Sequence, residues 1–97
     1  MAERSDAYII GRLIHQTRLL IATDDTIPTE TKLQTQPVLK EFEAALAVDE
    51  DEQDQKAIRS NYYFLCDQLS AYPDLDALLA AMRNFIPYLM NFDEQNR

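Results

Sequence analysis

Glycine is nearly absent from this sequence, which has one glycine and four prolines among its 97 residues. Folds made of many short strands usually need glycine at tight turns with positive φ angles, so its scarcity argues against sandwiches and barrels. Phosphate-binding loops also need several glycines, whereas Gly11 falls inside a predicted helix. We therefore expect a helical protein without a nucleotide-binding loop of that kind.

Reactive side chains are equally scarce, because Cys66 and His15 are the only cysteine and histidine. The sequence cannot form an internal disulfide, and it has too few Cys and His residues for a closed zinc site. Glu-x-x-His pairs, used by helical di-metal centres, do not occur. We predict a non-enzymatic protein without cofactor or metal, in which Cys66 is a core residue and His15 is partly exposed. An enzyme would need carboxylates to converge on His15.

Basic residues are outnumbered, nine against seventeen acidic residues, which gives a net charge of −8. Nucleic acids are bound through clustered Lys and Arg, so direct nucleic-acid binding is disfavoured and a partner with a basic surface is favoured. Negative charge also promotes solubility whatever the function. The charge is therefore compatible either with a binding face or with an ordinary solvated surface.

Long apolar runs are missing, so we expect no membrane span, which would need about 20 consecutive apolar residues. The first residues, MAERSDAY, also lack the basic and then apolar layout of a secretory signal. Together with the lone Cys66, which fits a reducing compartment, these two absences predict a cytoplasmic protein. The length suits one hydrophobic core, which predicts a single domain over residues 1–97.

Apolar residues recur at three- and four-residue spacing in four segments, which predicts four amphipathic helices. The first helix is expected from Ser5 or Asp6 to about Ala22, and the second from either Thr29 or Pro37. The predicted stripes are Ile10, Leu13, Ile14, Thr17, Leu20 and Ile21; Leu39, Phe42, Ala45 and Leu46; Ile58, Tyr62, Leu65, Leu69 and Tyr72; and Leu75, Leu78, Leu79, Met82 and Ile86.

The fold class that follows is all-α, a compact bundle of about four helices whose short connections favour antiparallel neighbours. Pro73 is expected to end the third helix, and Asp74 or Asp76 to cap the fourth. Pro87 predicts a kinked C-terminal segment, and the apolar residues 88–92 that follow it need a place to be buried. They could fold back on their own bundle or cross to a second copy in a homodimer.

An acidic run precedes the third helix, and it allows two interpretations. It could simply begin that helix, with Asp49 and Glu52 as a capping box. It could also form a negative face that docks on a basic protein or takes the place of nucleic-acid phosphates. Gln53 followed by Asp54 departs from a calcium-binding loop. The predicted partner-binding residues of this run are Asp49, Glu50, Asp51, Glu52 and Asp54.

Three adjacent aromatic residues, Tyr62, Tyr63 and Phe64, cannot all face the core, because successive helix residues are about 100° apart. If Tyr62 is buried, Tyr63 or Phe64 lies on a flank, where an aromatic ring can anchor an interface or be covered by another helix. We include Tyr63 and Phe64 among the predicted partner-binding residues.

The function expected from these features is that of an acidic protein-binding module, such as an inhibitor, an immunity-type protein or an adaptor. Its most specific form is a phage or mobile-element inhibitor that blocks the nucleic-acid-binding surface of a basic enzyme. The alternative is a structural small subunit or homodimer that completes a helical bundle through its apolar C-terminal segment.

Overall fold

Four α-helices account for most of the chain in a computed structural model. The structure describes residues 6–86 and 89, except for the side chains of Asp6 and Glu50. The helices are α1 (Asp6–Thr23), α2 (Thr29–Leu46), α3 (Gln55–Leu69) and α4 (Pro73–Arg83), and a 3₁₀-helix (Glu50–Glu52) precedes α3. The described residues contain no strand. The predicted all-α bundle of about four helices is confirmed, while the predicted kink at Pro87 lies outside the described residues.

The bundle is built from packed consecutive helices and is closed by the packing of α1 against α4. The most extensive packing is between α2 and α3, followed by that of α1 with α4 and with α2, whereas α3 and α4 pack less extensively. Because each connection is short, consecutive helices run in opposite directions, and α4 returns beside α1. The connection between α2 and α3 therefore lies at the opposite end of the bundle from the other two.

The two alternatives for the start of α2 are now resolved in favour of Thr29. Pro37 lies inside this helix, where its missing N–H removes the usual donor to the carbonyl of Leu33. Both residues are exposed, so solvent can satisfy that carbonyl. The helix therefore continues through Pro37, whereas a proline on the buried face would break it.

The start of α3 differs from the prediction that Asp49 and Glu52 form a capping box. The backbone N–H of Glu52 donates to the carbonyl of Asp49 over 2.8 Å, which closes the 3₁₀-helix. The N-cap is Asp54, whose carboxylate accepts a hydrogen bond of 3.1 Å from the backbone N–H of Ala57. The predicted box is wrong because the acidic run forms a separate turn before the helix begins.

Pro73 also has a different role from the predicted one. Helix α3 already ends at Leu69, and Pro73 is the first residue of α4, a position where a proline loses no helical hydrogen bond. Tyr72 occupies the N-cap position of α4, so the prediction that Asp74 or Asp76 caps this helix is wrong. Both carboxylates lie in the first turn instead, where the helix dipole favours negative charge.

The core contains most residues of the four predicted stripes. The hydroxyl of Tyr62 donates to the carbonyl of Leu79 over 2.7 Å, so the largest buried polar side chain is satisfied. Thr17 is fully buried on its stripe and bonds the carbonyl of Leu13, as a buried hydroxyl must. The fully buried side chains include Ile14, Ile21, Leu39, Phe42, Ile58, Leu65, Leu69, Leu75, Leu79, Met82 and Leu89.

Gly11 has open surroundings within the described part of the chain, because no atom other than those of its adjacent residues and its own helix backbone lies within 4 Å of a Cβ atom built on it. A close helix crossing does not explain this glycine. We expect Gly11→Ala to raise the free energy of unfolding by about 0.5–1 kcal/mol, since alanine loses less backbone entropy in a helix. Urea denaturation of the two proteins measures the difference, and a destabilised variant would contradict the open surroundings of this position.

Candidate functional site

The acidic run forms the connection between α2 and α3, residues 47–54, which we call the acidic loop. The side chains of Asp49, Asp51, Glu52 and Asp54 are all exposed on it. The side chain of Glu50, also predicted to bind a partner, lies outside the described residues. Val48 is 44% exposed, so the loop offers one large apolar side chain next to its carboxylates.

Hydrogen bonds within the acidic loop fix its shape. The side-chain amide of Gln53 donates to the carbonyls of Leu46 and Val48, each over 3.4 Å. The 3₁₀-helix and the Asp54 cap order the remaining backbone. A loop whose backbone is already ordered loses less conformational entropy when it binds a partner.

Three carboxylates of the acidic loop have no cation paired with them among the described residues. Within the part of the chain that the structure describes, Asp49, Asp51 and Glu52 make no ion pair. A pair between Arg18 and Glu43 instead joins α1 to α2. These three side chains therefore present uncompensated negative charge, which is the property that attracts a basic surface.

The two predicted aromatic anchors have different surroundings on α3. Tyr63 is half-buried and packs on the core, with its ring edge-on to that of Tyr62 at a centroid distance of 5.5 Å. Phe64 is also half-buried, but it is not among the described side chains packed against the core. Phe64 is thus the better placed of the two for a partner, and the binding role of both stays a prediction.

A second surface feature is an open groove of about 480 Å³ between α1 and α4, which we call the α1–α4 groove. Its most prominent residue is Leu19, which is 50% exposed. Sequence reasoning missed it, although a leucine directly beside the stripe residue Leu20 was an available signal. The lining residues are Gln16, Leu19, Leu20, Thr23, Asp74, Ala77 and Leu78.

The turn between α1 and α2 lies beside this groove and is ordered by Asp24. The Asp24 carboxylate accepts hydrogen bonds from the hydroxyl and the backbone N–H of Thr26, over 2.6 and 2.9 Å. Those two bonds, the hydroxyl first, lower the pKa of Asp24, and the charge of Lys32 acts in the same direction. The ammonium of Lys32 also donates to the carbonyl of Ala22 at the end of α1. These contacts hold the α1 end of the groove in place.

The residues considered for chemistry are neither part of the acidic loop nor lining residues of the groove. His15 is exposed on α1, and Cys66 is partly buried against the core on α3. Among the described residues, no group of three or more His, Cys, Asp and Glu side chains could hold a metal ion. None of the helices in that part of the chain is both long and apolar enough to span a membrane.

Comparison with known proteins adds no constraint, since no protein-family model, curated protein or solved structure matches the chain.

Proposed function

We propose that this protein is a non-enzymatic binding module, such as an inhibitor, an immunity-type protein or an adaptor, that docks on a basic protein through its acidic loop. The observation that carries this proposal is the set of exposed carboxylates of Asp49, Asp51 and Glu52, held on an internally hydrogen-bonded loop and not paired within the described residues. Such a surface accelerates encounter with a basic partner and excludes acidic ones.

Charge alone would give a weak complex. An exposed ion pair contributes about 0.2–1 kcal/mol, whereas micromolar affinity requires about 8 kcal/mol. Apolar contact must supply most of the remainder, and Val48 within the loop and Phe64 on α3 are the side chains we assign to it. In this division of roles, the carboxylates select and orient the partner while the apolar groups hold it.

The most specific form of the proposal is a phage or mobile-element inhibitor of a nucleic-acid enzyme. The loop carboxylates would occupy the basic groove that otherwise holds phosphates, so the inhibitor and the nucleic acid would compete for one surface. The net charge of −8 supports this form, because the basic groove with which an enzyme binds nucleic acid attracts acidic proteins and repels basic ones.

The test begins with affinity capture of the partner from the native host and its identification by mass spectrometry. The triple variant Asp49→Lys, Asp51→Lys, Glu52→Lys is expected to weaken the complex by about tenfold or more, because attraction becomes repulsion. The matched control Asp25→Lys, Glu30→Lys, Glu41→Lys changes the net charge equally at exposed positions outside the loop. We expect the control to weaken binding by less than about threefold. Equal losses in both triple variants, or none in the loop variant, would refute the proposal.

Leu89 bears on the alternative, a homodimer completed by the C-terminal segment. Its side chain is fully buried in the core of its own chain, and its N–H bonds the carbonyl of Ile86 over 2.9 Å. This position favours a segment that folds back on its own bundle. The other apolar residues of that segment lie outside the described residues.

A further inference from the structure

We infer that the α1–α4 groove is a second docking site, which takes a basic amphipathic helix of a protein partner. This site does not depend on the acidic loop. The acidic loop and the α1–α2 turn beside the groove lie at opposite ends of the bundle. Helix α2 runs between these two ends, and its 18 residues make it about 27 Å long. A helix of about 15 residues is about 22 Å long and, centred on the groove, would not reach the loop.

The floor of the groove is apolar and fixed. Leu20 and Leu78 are partly buried and packed against the core, so they are not free to close the gap between α1 and α4. Leu19 stands half-exposed at its side, and Ala77 contributes only a methyl group. A partner that inserts apolar side chains here would bury leucine surface that now faces water, which is worth about 25 cal/mol per Å².

The rim of the groove determines the charge of the occupant. Asp74 is the only charged residue among the lining residues, it is exposed, and it makes no ion pair within the described part of the chain. Among the described residues no basic side chain lines the groove, so a Lys or Arg beside the apolar anchors of the occupant would pair with Asp74.

The shape of the groove favours a helix. Its α1 wall extends from Gln16 to Thr23, about two turns, which matches apolar anchors at positions i and i+4 of a docked helix. The groove is open along one side, so a small molecule would remain largely exposed to solvent. A second copy of this chain is disfavoured, because two protomers with a net charge of −8 each would repel one another.

The experiment uses a labelled helical peptide of about 15 residues, made of leucine and lysine with leucines at i and i+4 spacing. A scrambled peptide of the same composition keeps the charge and loses the apolar face. In an NMR titration of the full chain, we expect saturable shifts at the amides of Leu19, Leu20, Ala77 and Leu78 with the amphipathic peptide alone. The loop triple variant should retain these shifts, so failure of the groove and failure of the acidic loop are distinguished.

Two pairs of substitutions locate the binding. Leu19→Asp should weaken binding of the peptide by about tenfold, because it removes apolar contact. Asp74→Asn should weaken it by about threefold, because it removes the counter-charge. Their matched controls are Leu33→Asp, at a leucine 69% exposed on α2, and Asp76→Asn, which does not line the groove. We expect both controls to stay within about twofold of the unchanged protein.

Three results would overturn the inference. The scrambled peptide could bind as tightly as the amphipathic one, the shifts could appear at residues 49–54 and not in the groove, or Leu19→Asp could bind as tightly as Leu33→Asp. The second result would leave the acidic loop as the sole docking surface. The far-UV circular dichroism of each variant confirms that it retains the helical fold, so that a loss of binding is not a loss of structure.

Discussion

Phe42→Ala is expected to lower the free energy of unfolding by about 3–5 kcal/mol. Phe42 is completely buried at the most extensive helix interface, that of α2 with α3, and its ring lies 6.1 Å from that of Tyr62. Truncation removes apolar burial, leaves a cavity and ends the ring contact. A domain of this size has a total stability of about 5–15 kcal/mol, so the loss is a large share of it.

Chemical denaturation of Phe42→Ala and Phe64→Ala provides a matched comparison, since both variants lose the same side chain. Phe64 is half-buried and outside the core cluster, so its removal should cost about 1 kcal/mol or less. The Phe64 variant should weaken the partner complex instead. Equal losses of stability in the two variants would contradict the assignment of Phe42 to the core and of Phe64 to the surface.

Leu89→Ala is expected to destabilise the protein by about 2–5 kcal/mol without changing its molecular mass in solution. The physical reason is that Leu89 fills a fully buried position in the core of its own chain. Thermal or urea unfolding measures the stability, and sedimentation equilibrium measures the mass of both proteins.

The homodimer alternative gives the opposite result for the same substitution. If the C-terminal segment were buried against a second copy, the unchanged protein would sediment as a dimer and Leu89→Ala would release monomers. Unfolding would then depend on protein concentration. A concentration-independent transition of a monomer supports the core position of Leu89.

Helical periodicity in the sequence was sufficient to predict the four helices and most of the core. The pattern even included Thr17 in its apolar stripe, and that threonine is fully buried with its hydroxyl bonded to Leu13. Spacing alone predicts such positions, because residues three and four positions apart lie on the same face of a helix. A residue at that spacing from apolar residues therefore lies on the buried face.

Helix starts were less predictable, because several residues at one boundary can cap. Asp49 and Asp54 are both good N-cap residues, and only the intervening 3₁₀-helix decides that Asp54 caps α3. Pro73 is likewise compatible with the end of one helix or the first turn of the next. These choices depend on backbone hydrogen bonds between residues a few positions apart, which composition does not specify.

The acidic loop and the α1–α4 groove were the features least predictable from the sequence, because both depend on tertiary structure. The acidic loop was visible as a run of charges, but its order depends on the Gln53 side chain reaching back to α2, and Val48 was not recognised as exposed. The α1–α4 groove arises where two packed helices leave a gap beside Leu19. No periodicity within a single helix specifies such a gap.

The central claim is that exposed carboxylates on the acidic loop bind a basic protein, and the dependence of the dissociation constant on ionic strength tests it most directly. Raising the salt concentration from about 0.05 to about 0.5 M shortens the Debye length to a few ångströms and screens exposed charges. We expect the dissociation constant for the captured partner to rise by about tenfold or more, and the loop triple variant to show little of this dependence. A dissociation constant that stays the same over this range would contradict the claim.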